Sequence, residues 1–325
     1  MKIGILGASR IAPKAIIEPA KDLDEIEVEA VAARDVKRAK EFADKYNIAT
    51  VYNDYETLIK DPNLDAIYIG LPPSLHYQWS IAALESQLHV LVEKPFSSNA
   101  IEAKKMVAVS EHSGYKLIEA FHWRFHPLSS TLIELCTQIG TIKKADTYFN
   151  ALINNKSDIR YQLDLSGGAT MDIGCYPIHW LRTLLQQQPK VLEASCEQYS
   201  PGIDAAMEAK FEFPSGISAT MQCAMTPQPS SPLGSYIHIE ADQGYIKVDN
   251  PIAPHNGHRL QAKLADGTEF DGSIEGKTTY WHQLKAFFDI VQNNQPPITG
   301  GLDAIENMQV IDEIYIASGL GIRGM

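Results

Sequence analysis

Near the amino terminus the chain reads Lys2-Ile3-Gly4-Ile5-Leu6-Gly7-Ala8-Ser9-Arg10-Ile11-Ala12, a strand-length apolar run that meets a glycine and passes at once into a helical pattern. This feature restricts the fold most, because a buried strand that turns directly into a helix must find its partners through crossovers. The rhythm then repeats. Strand-like runs at Lys2 to Leu6, Glu27 to Ala33, Ala66 to Ile69, His89 to Val92 and Lys116 to Phe121 alternate with helical patterns. These helices begin at about Ile11, cover Lys37 to Tyr46, follow Ser74, and open near Ser98 and Asn99. Helices on both faces bury such strands, so the order predicts an α/β fold with a doubly wound, open parallel sheet.

Sheets of this kind bind ligands beyond the carboxyl ends of their strands, where Gly7, Arg34, Leu71 to Pro73, Glu93 to Pro95 and Phe121 to Arg124 converge. After Pro127 the pattern changes to one helix and then longer alternating runs, Glu208 to Phe213, Ile217 to Gln222, Tyr236 to Glu240 and Tyr245 to Asp249. Turns at Pro214-Ser215-Gly216, Asp242-Gln243-Gly244 and Asp266-Gly267 fit hairpins between antiparallel strands. Helices are expected over Tyr176 to Leu185, Tyr280 to Val291 and Leu302 to Ser318. A chain of 325 residues exceeds one ordinary core. We therefore expect two domains, a Rossmann-type nucleotide-binding domain over 1–124 and an α+β domain with a large, mainly antiparallel open sheet over 125–325.

The turn at Gly7 approximates the dinucleotide fingerprint G-x-G-x-x-G/A, with Gly7 first, Ala12 third and Ser9 in place of the second glycine. A small hydroxyl residue still permits close approach and can donate to phosphate. Gly7, Ala8, Ser9, Arg10 and Ile11 are the candidate cradle, with the amides of a helix N-terminus facing the anion. The end of the second strand, Ala32-Ala33-Arg34-Asp35-Val36-Lys37-Arg38, bears on which dinucleotide binds. NAD sites place a carboxylate here for the ribose 2′-hydroxyl, whereas arginine suits the 2′-phosphate of NADP. Ala33 takes the carboxylate's place and Arg34 and Arg38 follow, so NADP is expected over NAD. The other reading makes both arginines solvated surface charges and leaves the ribose to Asp35.

A strand runs straight into Glu93-Lys94-Pro95, and the segment Gly167-Gly168-Ala169-Thr170-Met171-Asp172-Ile173-Gly174-Cys175-Tyr176-Pro177-Ile178-His179 opens a helix with Asp172 and Tyr176 four residues apart, on one face. With the glycine turn, these motifs resemble the glucose-fructose oxidoreductase / inositol dehydrogenase family, Gfo/Idh/MocA, over essentially the whole chain. The resemblance implies that Lys94 and Asp172 line the substrate pocket. Tyrosine at position 176, where many members have histidine, is similar to the NADP-using branch containing dimeric dihydrodiol dehydrogenase and NADP-dependent xylose dehydrogenase. Alcohol oxidation requires loss of the hydroxyl proton as hydride leaves for a nicotinamide. Tyr176 is the expected acid/base, assisted by the Lys94 ammonium, since a tyrosine hydroxyl ordinarily titrates near pH 10 and a neighbouring cation favours its ionised form. Asp172 would orient Lys94 or bind a substrate hydroxyl.

Leu71, Pro72, His76, Glu93, Trp123 and Arg124 complete the expected cofactor contacts. Phe121 and Phe125 read as core, and His122, His126 and His179 as structural residues. The net charge of -12 disfavours nucleic acid and anionic membranes. Four dispersed cysteines without a CxxC pair indicate neither a zinc site nor a disulfide scaffold, and no metal is expected. The start lacks a signal-peptide pattern and no run reaches the roughly 18 apolar residues of a membrane span, so a cytoplasmic protein is expected. The expected function is NADP-dependent hydride transfer to or from a sugar, polyol or dihydrodiol, in a homodimer or higher homo-oligomer formed through the C-terminal sheet. Two alternatives stand beside it: an NAD(P)-binding sensor or scaffold without turnover, and a redox-assisted, NAD-dependent glycosidase.

Overall fold

In the computed structural model, which describes residues 1–227 and 232–325, the chain divides into two compact units. Unit 1 comprises Met1–His122 and Tyr280–Ile305, and unit 2 comprises Trp123–Thr279 and Glu306–Met325.

Unit 1 is built on strands β1 (Lys2–Leu6), β2 (Glu27–Ala32), β3 (Thr50–Tyr52), β4 (Ala66–Ile69), β5 (His89–Val92) and β6 (Leu117–Glu119). They form a six-stranded sheet in the order β3-β2-β1-β4-β5-β6, and every pairing is parallel. The strand order reverses beside β1, at the edge where the sequence motifs were expected to meet. The apolar runs explain the placement: Ile3, Ile5, Leu6, Ile67, Ile69, Val90 and Leu91 are all fully buried. Strand β3 escaped sequence reading because Thr50-Val51-Tyr52 is too short to show a period.

The helix expected from Ile11 begins as a π-helical turn, Pro13–Ile17, before one α-helical turn, Glu18–Ala20. Elsewhere caps fix the helix starts. Asp35 accepts from Lys37 N at the head of Val36–Tyr46, and Asn99 accepts from Ile101 N and Glu102 N at the head of Ala100–Ser113.

Unit 1 is not a contiguous stretch of chain, whereas the sequence reading draws a single boundary after residue 124. The reason lies at its edge strand. Glu119 N donates to Thr299 O at 2.6 Å and Thr299 Oγ1 donates to Glu119 O at 2.7 Å, so the segment before Leu302 supplies the partner that β6 lacks. Gly300 lies so close to Leu117 O that an added Cβ would stand 2.5 Å from it.

Unit 2 carries an eight-stranded sheet in the order β14-β13-β12-β11-β7-β10-β9-β8. Its strands are β7 (Ile142–Asn150), β8 (Lys190–Ser200), β9 (Ile203–Glu212), β10 (Ser218–Ala224), β11 (Gly234–Ala241), β12 (Tyr245–Asp249), β13 (Arg259–Lys263) and β14 (Glu269–Gly272). All pairs are antiparallel except β7 with β10. Alternation decides the faces: Ala205, Met207, Ala209 and Phe211 of β9 and Ala219, Met221 and Cys223 of β10 are buried on one side. Helix Cys175–Leu185 packs against β7 and β10. The opposite face is polar, with Tyr148 and Tyr236 stacked at 5.4 Å and Thr220 donating to Asp146 at 2.6 Å. The four cysteines are free thiols, and no described helix is long and apolar enough to cross a membrane.

Candidate functional site

In unit 1 the turn after β1 depends on a backbone that only glycine adopts without strain. Gly7 has φ +98°, and a Cβ there would stand 2.8 Å from Leu71 Cδ2 and 2.9 Å from Gly70 O. The turn is thereby pressed onto the loop after β4 that carries Leu71 and Pro72. Gly7 N donates to Ala32 O at 2.9 Å, tying the turn to the end of β2. Ser9 Oγ accepts from Ala12 N at 3.3 Å, so Ser9 steadies the start of the π-helical turn. Arg10 is exposed and Ile11 half-buried beside it.

The residues after β2 separate into distinct tasks. Ala33 is 5% exposed and packs with Ala8 and Ala39. Asp35 uses its carboxylate to cap its own helix. Arg34 is exposed, its backbone N–H donating to Tyr55 Oη at 3.1 Å. Arg38 Nη2 donates to Ala8 O at 2.8 Å, bringing a guanidinium onto the turn itself. Tyr55 lies close enough to both arginines to feel their charge, although burial dominates and pushes its hydroxyl pKa up.

At the end of β5, Glu93 is 9% exposed and accepts from the fully buried Tyr68 hydroxyl at 2.7 Å. Lys94 is half-buried, and the Lys94–Pro95 peptide is cis. His76 is fully buried, one ring nitrogen 2.9 Å from Leu71 O and the other 2.9 Å from Pro95 O. It bridges the loops that carry Leu71 and Lys94. The two carbonyls favour a charged ring, but burial outweighs them and lowers its pKa to about 4.

In unit 2, Asp172 stands in a second π-helical turn, Thr170–Gly174, which leads into the helix Cys175–Leu185 carrying Tyr176. The sequence predicts a plain α-helical start here. The wider turn accompanies a close approach, since a Cβ on Gly174 would stand 2.8 Å from Cys223 Sγ. Tyr176 is 4% exposed and packs edge-on to Phe149 at 5.8 Å, with Trp180 one helical turn on at 6.2 Å.

A buried network holds the front of this segment. Asp204 Oδ2 accepts from Thr170 N and Thr170 Oγ1, both at 2.7 Å, while Oδ1 accepts from Tyr315 Oη at 3.0 Å and Arg323 Nη2 at 2.9 Å. Arg323 Nε also donates to Gly167 O at 2.9 Å. Arg160 Nε donates to Asp172 Oδ2 at 2.5 Å, and its Nη1 donates to Asp158 Oδ1 at 2.9 Å. Sequence reasoning missed Arg160, Asp204 and Arg323: they are ordinary charged residues until the fold brings them together, and only the proximity of Asp158-Ile159-Arg160 to the glycine pair hinted at one of them.

Trp123 falls in unit 2, 2% exposed, with its indole N–H donating to His179 Nδ1 at 3.0 Å. Its one polar group serves the core of that unit, and His179 is structural there. Arg124 Nη1 donates to Ser129 Oγ at 3.3 Å.

A parallel sheet with a glycine turn at its switch point, joined in sequence to a large open sheet, defines a two-unit protein of the Rossmann class. The family model described as "Oxidoreductase family, NAD-binding Rossmann fold" matches residues 1–121, and the GFO/IDH/MocA C-terminal domain matches 137–247. The chain belongs to the GFO/IDH/MocA oxidoreductase family. It is 32% identical to D-xylose 1-dehydrogenase (NADP(+)) 2 of Haloferax volcanii, over 99% of this chain and 98% of that protein. It is also 32% identical to trans-1,2-dihydrobenzene-1,2-diol dehydrogenase of Sus scrofa, over 70% of this chain and 67% of that one. An aldose-aldose oxidoreductase from Caulobacter crescentus shares the fold, with a TM-score of 0.89 at 23% identity, covering 98% of this chain and 97% of that one.

Proposed function

We propose that the protein is an NADP-dependent dehydrogenase or reductase that transfers hydride between the nicotinamide and a hydroxyl-bearing carbon of a sugar, polyol or dihydrodiol. The observation that carries the choice of cofactor is the division of labour after β2. Ala33 leaves no carboxylate at the expected ribose position, Asp35 is engaged as a helix cap, and Arg34 and Arg38 supply positive charge at the turn. A 2′-phosphate fits that chemistry, and the Gly7 backbone, crowded against Gly70 and Leu71, fits close approach of a pyrophosphate. The D-xylose 1-dehydrogenase (NADP(+)) among the relatives supports the same reading.

The bound nicotinamide supplies the hydride acceptor or donor. The chain's own residues handle the proton and the orientation. Tyr176 Oη takes the hydroxyl proton in oxidation and returns it in reduction; Lys94 Nζ stabilises the ionised tyrosine and polarises the substrate oxygen; Asp172 binds a substrate hydroxyl. Gly7 to Ile11, Leu71, Pro72 and Glu93 form the cofactor's surroundings, and His76 holds the Leu71 and Pro95 loops together around it. The polar outer face of the unit 2 sheet, centred on the Tyr148–Tyr236 stack, is the self-association surface, so light scattering should report at least a dimer that Tyr236→Arg dissociates.

The test is a panel of aldoses, polyols and trans-dihydrodiols with NADP and NAD, read by reduced-nicotinamide absorbance. Turnover with NADP on at least one class supports the proposal. Tight NADP binding without turnover of any member would instead indicate a sensor, and turnover with cofactor that never leaves the protein would indicate the redox-assisted glycosidase.

A further inference from the structure

Arg160 sits in the single 3-10 turn Ile159–Tyr161, and its backbone is fixed before its side chain is considered. Its carbonyl accepts from Gly168 N at 2.8 Å, and a Cβ on Gly167 would stand 2.5 Å from the same oxygen. The guanidinium is oriented by two carboxylates, Asp158 through Nη1 and Asp172 through Nε. Its third nitrogen, Nη2, donates to no described residue, and the side chain remains 31% exposed beside an Asp172 side chain that is 17% exposed.

A brace for the segment would be redundant here. The Asp204–Arg323–Tyr315 network already pins Gly167 and Thr170 from inside, with both ionic partners at 1% exposure or less. What Arg160 adds is a partly exposed guanidinium beside the Asp172 carboxylate.

We infer that Arg160 is a specificity-determining residue which, together with Asp172, presents a donor and an acceptor to two neighbouring hydroxyls of the substrate. Vicinal hydroxyls fit because each can donate to a carboxylate and accept from a guanidinium. This inference rests on the proposed oxidoreductase reading for the substrate's class and adds the residue that reads its hydroxyl pattern.

The experiment compares D-xylose with its 2-, 3- and 4-monodeoxy counterparts. Binding is measured by titration calorimetry in the presence of NADP, and turnover by absorbance. Arg160→Ala should weaken xylose binding and raise its KM by about 10- to 100-fold, the range for a hydrogen bond to a charged group, with the KM for NADP within about twofold. At least one monodeoxy sugar should already bind the native protein weakly and be indifferent to the substitution. Arg160→Lys keeps the charge without the planar fork and should recover only part of the loss, which also covers the case in which the alanine variant does not fold.

Equal loss across xylose and every deoxy sugar, or unchanged binding in both variants, overturns the inference. If xylose binds and discriminates as expected but nothing is turned over, the oxidoreductase reading fails while hydroxyl recognition by Arg160 stands. If no neutral sugar or polyol binds, the recognition proposal fails with it.

Discussion

One glycine-led segment in each unit runs into a π-helical turn, Gly7 to Ile17 in unit 1 and Gly167 to Gly174 in unit 2, and the two are supported differently. The first has hydrogen bonds within the turn, Gly7 O accepting from Ser9 N and Ser9 Oγ accepting from Ala12 N, besides Ala32 and Arg38 from 25 and 30 residues away. The second depends on Asp204 and Arg323, 34 and 156 residues from the groups they hold. A turn with local supports shows itself in a fingerprint. A segment with distant supports shows only the residues it displays, and the groups that hold them must be read from the fold.

The largest effect is expected from the proposed proton-transfer pair, Tyr176 in the helix that follows the second segment and Lys94 after β5 in unit 1. Tyr176→Phe and Lys94→Met should each lower kcat by about 10²- to 10⁴-fold with NADP affinity and melting temperature retained, since each removes proton transfer or its electrostatic support. Near-native kcat in both would break the assignment of chemistry to these residues.

Removing the distant support should act on stability. Asp204→Asn removes the carboxylate charge from its buried pair with the Arg323 guanidinium, and a loss of about 3–5 kcal/mol is expected by analogy with broken buried ion pairs. Denaturant unfolding measures it, and a loss under about 1 kcal/mol would show the segment to be as locally held as its counterpart.

The support in unit 1 should reveal itself through pH. His76 has its pKa lowered from the usual 6.5 to about 4 by burial, so between those values the unfolded chain binds more protons than the folded one. Stability is therefore full above pH 6.5 and falls as pH drops toward 4, by about 3 kcal/mol in total. Melting curves from pH 7 to pH 4.5 should show the decline in the native protein and a shallower one in His76→Gln; parallel curves would contradict the buried-neutral assignment. The smallest expected effect is on cofactor choice. Arg34→Ala should weaken NADP by roughly 10-fold or more, the scale of one hydrogen bond to a charged group, and leave NAD nearly unchanged. Equal losses would return the ribose to Asp35.

Much of unit 1 was legible because its strands are uninterrupted apolar runs: Ala66–Ile69 and His89–Val92 have the predicted bounds. Gly7, Lys94, Asp172 and Tyr176 could be picked out as candidates because each stands in a short motif. Other features were not legible. The π-helical turns depend on contacts such as Gly174 with Cys223, separated by 49 residues of sequence, and no local period records them. The hydrogen bond from the Trp123 indole N–H to His179, made across 56 residues, was likewise invisible in the sequence. The membership of Tyr280–Ile305 in unit 1 rests on the Glu119–Thr299 hydrogen bonds, which neither segment announces.

That last pairing has a consequence for how the protein is made. Translation delivers the strands of the nucleotide-binding sheet early, but the backbone that completes its edge at Glu119 lies 180 residues downstream. A nascent chain that stops between Trp123 and Thr279 therefore displays an unfinished sheet border, open to mispairing until the segment around Thr299 has been made.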